Sequence, residues 1–233
     1  MVKALIFDVF GTVVDWRGSL IEDLTNFGAA RGIAADWPAL VDAWRGAYVP
    51  SMDRVRHGAR AWATLDVLHR ESLERLIGEF GITGLDEAAR QEITRFWHRL
   101  RPWPDAVPGL ARLKRRFVIA TLSNGNVALL VNLAKHAGLP WDMVFGGDLF
   151  RHYKPDPETY LGACRLLDLP PAEVMMVAAH NGDLAAAREH GLATGFFPRP
   201  NEHAPGQARD QHAEQDWDVV ARDIEDLATR LGA

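Results

Sequence analysis

The sequence predicts an α/β fold: a parallel sheet covered by helices on both faces, with a helical cap inserted after the first strand. Three observations predict it. Short apolar runs closed by polar turn residues alternate with amphipathic stretches over most of the chain. One long segment near the start carries only the helical period. Polar residues, Asp8, Ser123, Asn124 and Asp183, fall at or just past the ends of the apolar runs.

The strands are read first. Ala4–Phe7 (ALIF) ends at Asp8 and Gly11, and Phe117–Leu122 (FVIATL) ends at Ser123, Asn124 and Gly125. Val174–Val177 (VMMV) runs into Ala178, Ala179, His180, Asn181, Gly182 and Asp183, and Ala193–Phe197 is a fourth run. Short continuous apolar runs bounded by turn formers fit strands buried on both faces, as in parallel sheets. Helical spacing fills the gaps at Val127–Ala137, Pro157–Leu167 and Leu184–His190. Ligands of such sheets bind beyond the carboxyl ends of the strands. Asp8, Ser123, Asn124 and Asp183 all fall at or just past those ends, from distant parts of the sequence.

Leu20–Arg31, Trp37–Tyr48, Trp62–Phe80 and Asp86–Arg99 read as amphipathic helices with no clear strand between them. Pro102, Pro104 and Pro108 then mark the return to the α/β pattern. The predicted division is a core of residues 1–15 and 101–233 and a helical cap of residues 16–100. The polar stretch from Pro198 to Asp216 reads as a surface loop.

Composition narrows the function. The 233 residues are 48% hydrophobic and 24% charged, ordinary for a globular protein that can bury a sizeable core. The formal net charge is −5 with no long basic run, which argues against a nucleic-acid partner. The single cysteine, Cys164, cannot make an internal disulfide and reads as a small buried hydrophobe in a reducing compartment. No segment reaches the roughly 18 uninterrupted apolar residues of a membrane span, so a cytoplasmic protein away from the membrane is expected.

Four short motifs now acquire meaning together. Phe7-Asp8-Val9-Phe10-Gly11-Thr12-Val13 resembles the nucleophile loop of the haloacid dehalogenase superfamily. Ser123-Asn124-Gly125, Lys154-Pro155-Asp156 and the Asp183 loop resemble its second, third and fourth motifs, in the right order over nearly the whole chain. The fold this implies is a Rossmann-like sheet with a cap after the first strand. Most members are magnesium-dependent phosphatases with a second aspartate two positions after the nucleophile and paired acids in the fourth motif. This chain has Phe10 at the first position and Ala178 and Ala179 at the matching fourth-motif positions. Asp8 and Asp183 alone would hold magnesium poorly, and Phe10 cannot protonate a leaving group.

Those departures are similar to the (S)-2-haloacid dehalogenase branch, where a halide leaves without a proton. Trp44-Arg45 matches the pair that places that branch's halide-binding arginine, and Lys154 to Tyr160 keeps its spacing. The resemblance implies that Asp8 attacks Cα of a short 2-haloacid and forms an ester. It implies that Arg45 and Asn124 hold the departing halide. Ser123, Thr12 and the backbone of Val9 and Phe10 would hold the substrate carboxylate. Lys154 would favour ionised Asp8, Asp183 would position Lys154 or a water, and Tyr160 and Trp62 would orient or wall the pocket. No metal and no cofactor are implied, and such proteins are often homodimers. In the fourth motif the branch often carries Ser and Asn; here Ala178 and His180 stand there, so His180 is a further catalytic candidate. The alternatives are a phosphatase on the same fold and a non-catalytic domain that binds a small acid.

Overall fold

The computed structural model describes residues 1–206 and 208–233. In chain order its elements are β1 (Ala4–Phe7), β2 (Val14–Asp15), α1 (Trp16–Arg31), α2 (Trp37–Gly46), α3 (Tyr48–Arg56), α4 (Leu65–Glu79), α5 (Glu87–Thr94) and β3 (Arg101–Pro102). Then follow α6 (Ala106–Leu113), β4 (Val118–Ser123), α7 (Val127–Ala137), β5 (Met143–Gly146), α8 (Gly147–Phe150) and α9 (Pro157–Leu166). The chain ends with β6 (Val174–Ala178), α10 (Asn181–Glu189), β7 (Ala193–Phe196), β8 (Val219–Val220) and α11 (Ile224–Arg230).

Six parallel strands form one sheet in the order β5-β4-β1-β6-β7-β8. The central strands β1 and β6 are apolar and buried at every position because the sheet is covered on both faces. Leu5, Phe7, Ile119, Met175 and Val177 join one core, and Ala4, Ile6, Ala120, Leu122 and Met176 join the other. That alternation is the period of two expected of a strand. Phe7 lies opposite Thr121 on one side and Val177 on the other. Asp8 therefore leaves the sheet at its centre, flanked by the ends of β4 and β6.

The segment between β2 and β3 carries helices joined by short connections and, among the described residues, no strand, closed at its root by antiparallel pairing of Val14 with Pro102 and Asp15 with Arg101. Asp15 also starts α1 by accepting the Gly18 N–H at 2.8 Å. These helices share a core with one face of the sheet. Polar contacts tie them to the loops at its carboxyl edge: Asn126 exchanges hydrogen bonds with Asp66, Tyr153 donates to the Ala63 carbonyl, and Arg56 pairs with Asp156. No helix among the described residues is long and apolar enough to cross a membrane.

Several boundaries differ from the sequence reading. β5 and β8 were not anticipated; they are short, and their exposed residues Met143 and Val220 give no buried-strand signal. The helix expected over Trp37–Tyr48 stops at Gly46, because Pro50 lacks an N–H for the Gly46 carbonyl and its ring crowds that group. The helix expected from Trp62 begins at Leu65, since Trp62 and Ala63 are drawn into extended chain against Tyr153. The helix expected to Arg99 tightens to a 3-10 turn after Thr94.

The stretch Pro198–Asp216, described apart from Gln207, is more than a surface loop. Arg199 is buried, donating to the Thr12 carbonyl and pairing with Asp105, and Glu202 is only 1% exposed. Glu202 enters the interior beside Gly11, which has φ +87°; a Cβ there would lie 2.2 Å from Glu202 Oε1. Both the left-handed backbone and the close approach require glycine. Gly11→Ala is expected to lower the unfolding free energy by more than about 1 kcal/mol, read as a shifted urea midpoint. An unchanged midpoint would contradict this account of the loop.

Candidate active site

Asp8 is fixed by its own backbone and by three side chains. Its N–H donates to the Val177 carbonyl at 3.0 Å. The Val9 carbonyl accepts the Val13 and Val14 N–H groups, which curls the chain and returns Thr12 to Asp8. Thr12 Oγ1 donates to Asp8 Oδ2 at 2.7 Å and accepts the Ala179 N–H at 3.0 Å. His180 Nδ1 reaches the same Oδ2 at 3.1 Å, and Lys154 Nζ donates to Oδ1 at 2.9 Å.

Lys154 lies between two acids. Its ammonium also donates to Asp183 Oδ2 at 2.5 Å, and Asp183 Oδ1 accepts the Tyr160 hydroxyl at 2.6 Å. The Lys154 backbone N–H donates to Asn124 Oδ1 at 2.7 Å. That bond uses the carboxamide oxygen and leaves the NH2 end for the cavity that Asn124 borders. Asp183 occupies the first turn of α10, where the helix N-terminus favours negative charge.

Burial pushes the Asp8 carboxyl upward, yet the Lys154 charge and the His180 and Thr12 hydrogen bonds outweigh it and hold Asp8 well below the usual carboxylate range. Burial alone would lower Lys154, but Asp183 and Asp8 raise it above an ordinary lysine. Burial and the Asp8 charge keep Asp183 above its ordinary value against Lys154 and Tyr160. Burial disfavours a charged His180, but Glu202 and Asp8 push it up to about 10.

The helical segment contributes Arg45. Its guanidinium lies 4.2 Å from the Tyr48 ring centroid and 5.2 Å from that of Trp16. Its Nη1 is buried without a hydrogen-bond partner, a costly state that a bound anion would relieve. Among the described residues the other such side-chain atoms are Trp97 Nε1 and both ring nitrogens of His69. The His69 and Trp97 rings stack at 4.1 Å, next to Tyr48 and Phe10. Burial lowers His69 to about 3, so its ring is neutral. A cavity of about 350 Å³ is bordered by Asp8, Phe10, Arg45, Asn124, Lys154 and His180, a size suited to a small organic ligand. A wider cleft of about 850 Å³ lies on the other side of Arg45 and His180.

Most of the residues singled out in the sequence converge here. Val9 is buried, and the ring of Phe10 meets Trp97 edge-on at 5.6 Å. Tyr160 borders the cavity and holds Asp183. Ser123, Trp62 and Thr12 are placed otherwise, and Val9 does not border the cavity. Ser123 is buried and its Oγ accepts the Gly125 N–H at 3.1 Å, bracing the turn after β4 rather than bordering the cavity. Trp62 packs on Tyr153 at 4.8 Å and does not border it either. Thr12 spends both functions of its hydroxyl on Asp8 and Ala179, so it orients the carboxylate. Sequence reasoning missed Glu202, which no local pattern distinguishes from its polar neighbours. Tyr48, read in the sequence as an apolar pocket or cap-packing group, borders the cavity beside Arg45. Among the described residues no group of three His, Cys, Asp or Glu side chains is placed to share a metal ion. The Lys154 ammonium occupies the space between Asp8 and Asp183.

The chain is similar to known proteins over most of its length. Residues 2–191 match the model of the haloacid dehalogenase-like hydrolases. The crystal structure of an L-2-haloacid dehalogenase is 58% identical, with TM-score 0.97 and coverage of 100% of this chain and 99% of that one. That of a defluorinating L-2-haloacid dehalogenase is 49% identical, with TM-score 0.97 and coverage of 100% and 96%. That of the L-2-haloacid dehalogenase from Xanthobacter autotrophicus with chloropropionic acid covalently bound is 27% identical, with TM-score 0.83 and coverage of 100% and 99%.

The raised pKa of His180 makes stability depend on pH. A group raised by folding from 6.5 to about 10 stabilises fully below 6.5 and loses that contribution as pH rises toward 10. The stability difference between the wild type and His180→Asn should therefore shrink between pH 6.5 and 10. Urea unfolding of both proteins across this window measures it; a constant difference would mean that His180 is not charged in the fold.

Proposed function

The chain belongs to the haloacid dehalogenase-like hydrolases, in their (S)-2-haloacid dehalogenase branch, and we propose that it converts short 2-haloacids to 2-hydroxyacids through an Asp8 ester, with inversion and without metal. The observation that carries this reading is the pairing across one cavity of a buried, ionised Asp8 with the unpartnered Nη1 of Arg45. A nucleophile and an anion site that border one cavity suit in-line displacement at a carbon held between them.

Each step uses groups already in position. Lys154, Thr12 and His180 orient the two oxygens of Asp8, so attack on Cα requires no rearrangement of the carboxylate. One Asp8 oxygen bonds to Cα as the carbon–halogen bond breaks. The halide departs toward Arg45 and the NH2 end of Asn124, where N–H donors in a dry site stabilise developing negative charge. The neutral His69 and Trp97 Nε1 add donors next to the same aromatic wall. A halide needs no proton on leaving, which fits an aromatic at Phe10 where a phosphatase would carry an acid. The Lys154 cation, with the backbone after Asp8, balances the substrate carboxylate. Water then attacks the Asp8 carbonyl carbon and regenerates the carboxylate. The helical segment of residues 16–100 acts as the cap that supplies Arg45 and excludes water, over a core of residues 1–15 and 101–233. A covalent chloropropionic adduct in the Xanthobacter autotrophicus relative supports the ester route.

Attack from one side, followed by hydrolysis away from Cα, predicts inversion. (S)-2-chloropropionate should give the (R)-hydroxyacid, and halide release should be unchanged by EDTA. Arg45→Ala should lower the rate by roughly 10²–10³-fold. Halide release from fluoroacetate is also expected, since unpartnered N–H donors around a compact site favour a small, hard anion. Retained configuration, dependence on added magnesium, or hydrolysis of a generic phosphate ester in preference to haloacids would contradict the proposal.

A further inference from the structure

The ester route leaves open which group activates the water, and the inference drawn here rests on that route. We propose that Glu202 holds His180 as the base of ester hydrolysis, and that alkylation of Asp8 is the event that frees the imidazole to act. Glu202 is thus a positioning residue and His180 the catalytic one.

Geometry carries the argument. His180 Nδ1 lies 3.1 Å from Asp8 Oδ2 and Nε2 lies 2.8 Å from Glu202 Oε2. With a carboxylate facing each nitrogen, both must carry a proton, so the resting ring is an imidazolium. Glu202 is 1% exposed, and its other oxygen accepts the Trp16 indole N–H at 3.1 Å. The absence of a side chain at Gly11 opens this seat. A buried glutamate fixed so closely is explained by the ring it orients.

The remaining neighbours of Asp8 are poor bases. Thr12 and Lys154 donate to it. Asp183 has one oxygen engaged by Lys154 and the other by Tyr160. Ala178 offers no polar side chain. His180 borders both the cavity at Asp8 and the wider cleft through which solvent reaches it.

The sequence of protons balances. In the resting site Asp8 is a carboxylate and His180 is protonated. Ester formation expels halide and removes the charge from Asp8. The Nδ1 proton, no longer facing an anion, passes to solvent, while Nε2–H stays on Glu202. Nδ1 then takes one proton from water as its oxygen bonds to the Asp8 carbonyl carbon. The second water proton passes to the departing alkoxide as the ester C–O bond breaks. Carboxylate, imidazolium and hydroxyacid result, with one proton and one halide released per turnover.

The charged groups that surround this ring come from three directions. Asp8, Lys154 and Asp183 lie on the sheet side, and Arg45 comes from α2. His203 lies 3.4 Å from Glu202, and Arg209 and Asp210 border the outer cleft. Of these, only Asp8 loses its charge in the reaction, so it alone switches the ring within a turnover.

The test is a single turnover with excess enzyme and (S)-2-chloropropionate, following halide, hydroxyacid and the intact mass of the protein. In Glu202→Gln the loss should fall on ester breakdown, slowed about 10²-fold, while a stoichiometric halide burst persists and the protein carries the mass of the adduct. The pH inflection of ester breakdown should move to lower pH, because the anion that raises the imidazole is gone. Glu202→Asp should recover part of the rate. His180→Gln, which keeps Glu202, should show the same split between burst and breakdown. Wild-type ester breakdown in Glu202→Gln, or equal slowing of burst and breakdown with an unmoved inflection, would overturn the proposal and leave the ester route standing. Absence of a halide burst and adduct in the wild type would overturn the ester route itself.

Discussion

Lys154 carries a buried positive charge that touches Asp8 on one side and Asp183 on the other, and the site is built around holding it there. Two carboxylates this close would otherwise repel, and burial would favour protonating both. The ammonium keeps Asp8 ionised, and Tyr160 and Thr12 occupy the oxygens it leaves. Removing one partner of such a buried pair costs about 3–5 kcal/mol, because the other charge is left uncompensated. The sheet supplies what that arrangement needs. Its central strand delivers Asp8, and the chain after β6 delivers Asp183 a few residues beyond the neighbouring strand end.

The helical segment completes the electrostatics from the other side. The core has its positive charge engaged with its own acids, whereas Arg45 presents a buried nitrogen with no partner. On the proposed reading this division separates two tasks. Lys154 makes the nucleophile an anion, and Arg45 waits for the anion that the reaction creates. The aromatic residues around Arg45, among them Trp16 and Tyr48, hold the guanidinium by its faces. His180 adds a third charged group, set between Asp8 and Glu202. That pair of anions explains why an imidazole can stay protonated in an interior that disfavours charge.

Much of this was legible in the sequence because its causes are local. Apolar runs named β1, β4, β6 and β7, since strands buried on both faces are mostly apolar. Asp8, Asn124, Lys154 and Asp183 stood at the ends of such runs or in short motifs, and the fold brings them together there. The edge strands β5 and β8 escaped because exposed edges carry no such pattern. Ser123 was legible as a turn residue but not its engagement by the Gly125 N–H, which depends on backbone torsions. Glu202 was invisible for a different reason. Its burial depends on His180, 22 residues away, on Trp16, 186 residues away, and on the missing side chain at Gly11. Such a seat is a property of the assembled core, not of the loop that fills it.

The central claim is that Asp8 itself forms a bond to the substrate. A single turnover with excess enzyme in heavy-oxygen water tests it most directly, with mass analysis of the 2-hydroxyacid and of the peptide containing Asp8. The ester route predicts a product whose new oxygen is light, because it came from the Asp8 carboxylate, while Asp8 acquires the heavy label from the attacking water. Over many turnovers the label should then pass into product. Heavy oxygen at C2 of the first-turnover product, with Asp8 unlabelled, would show that water attacks the substrate directly and would contradict the account.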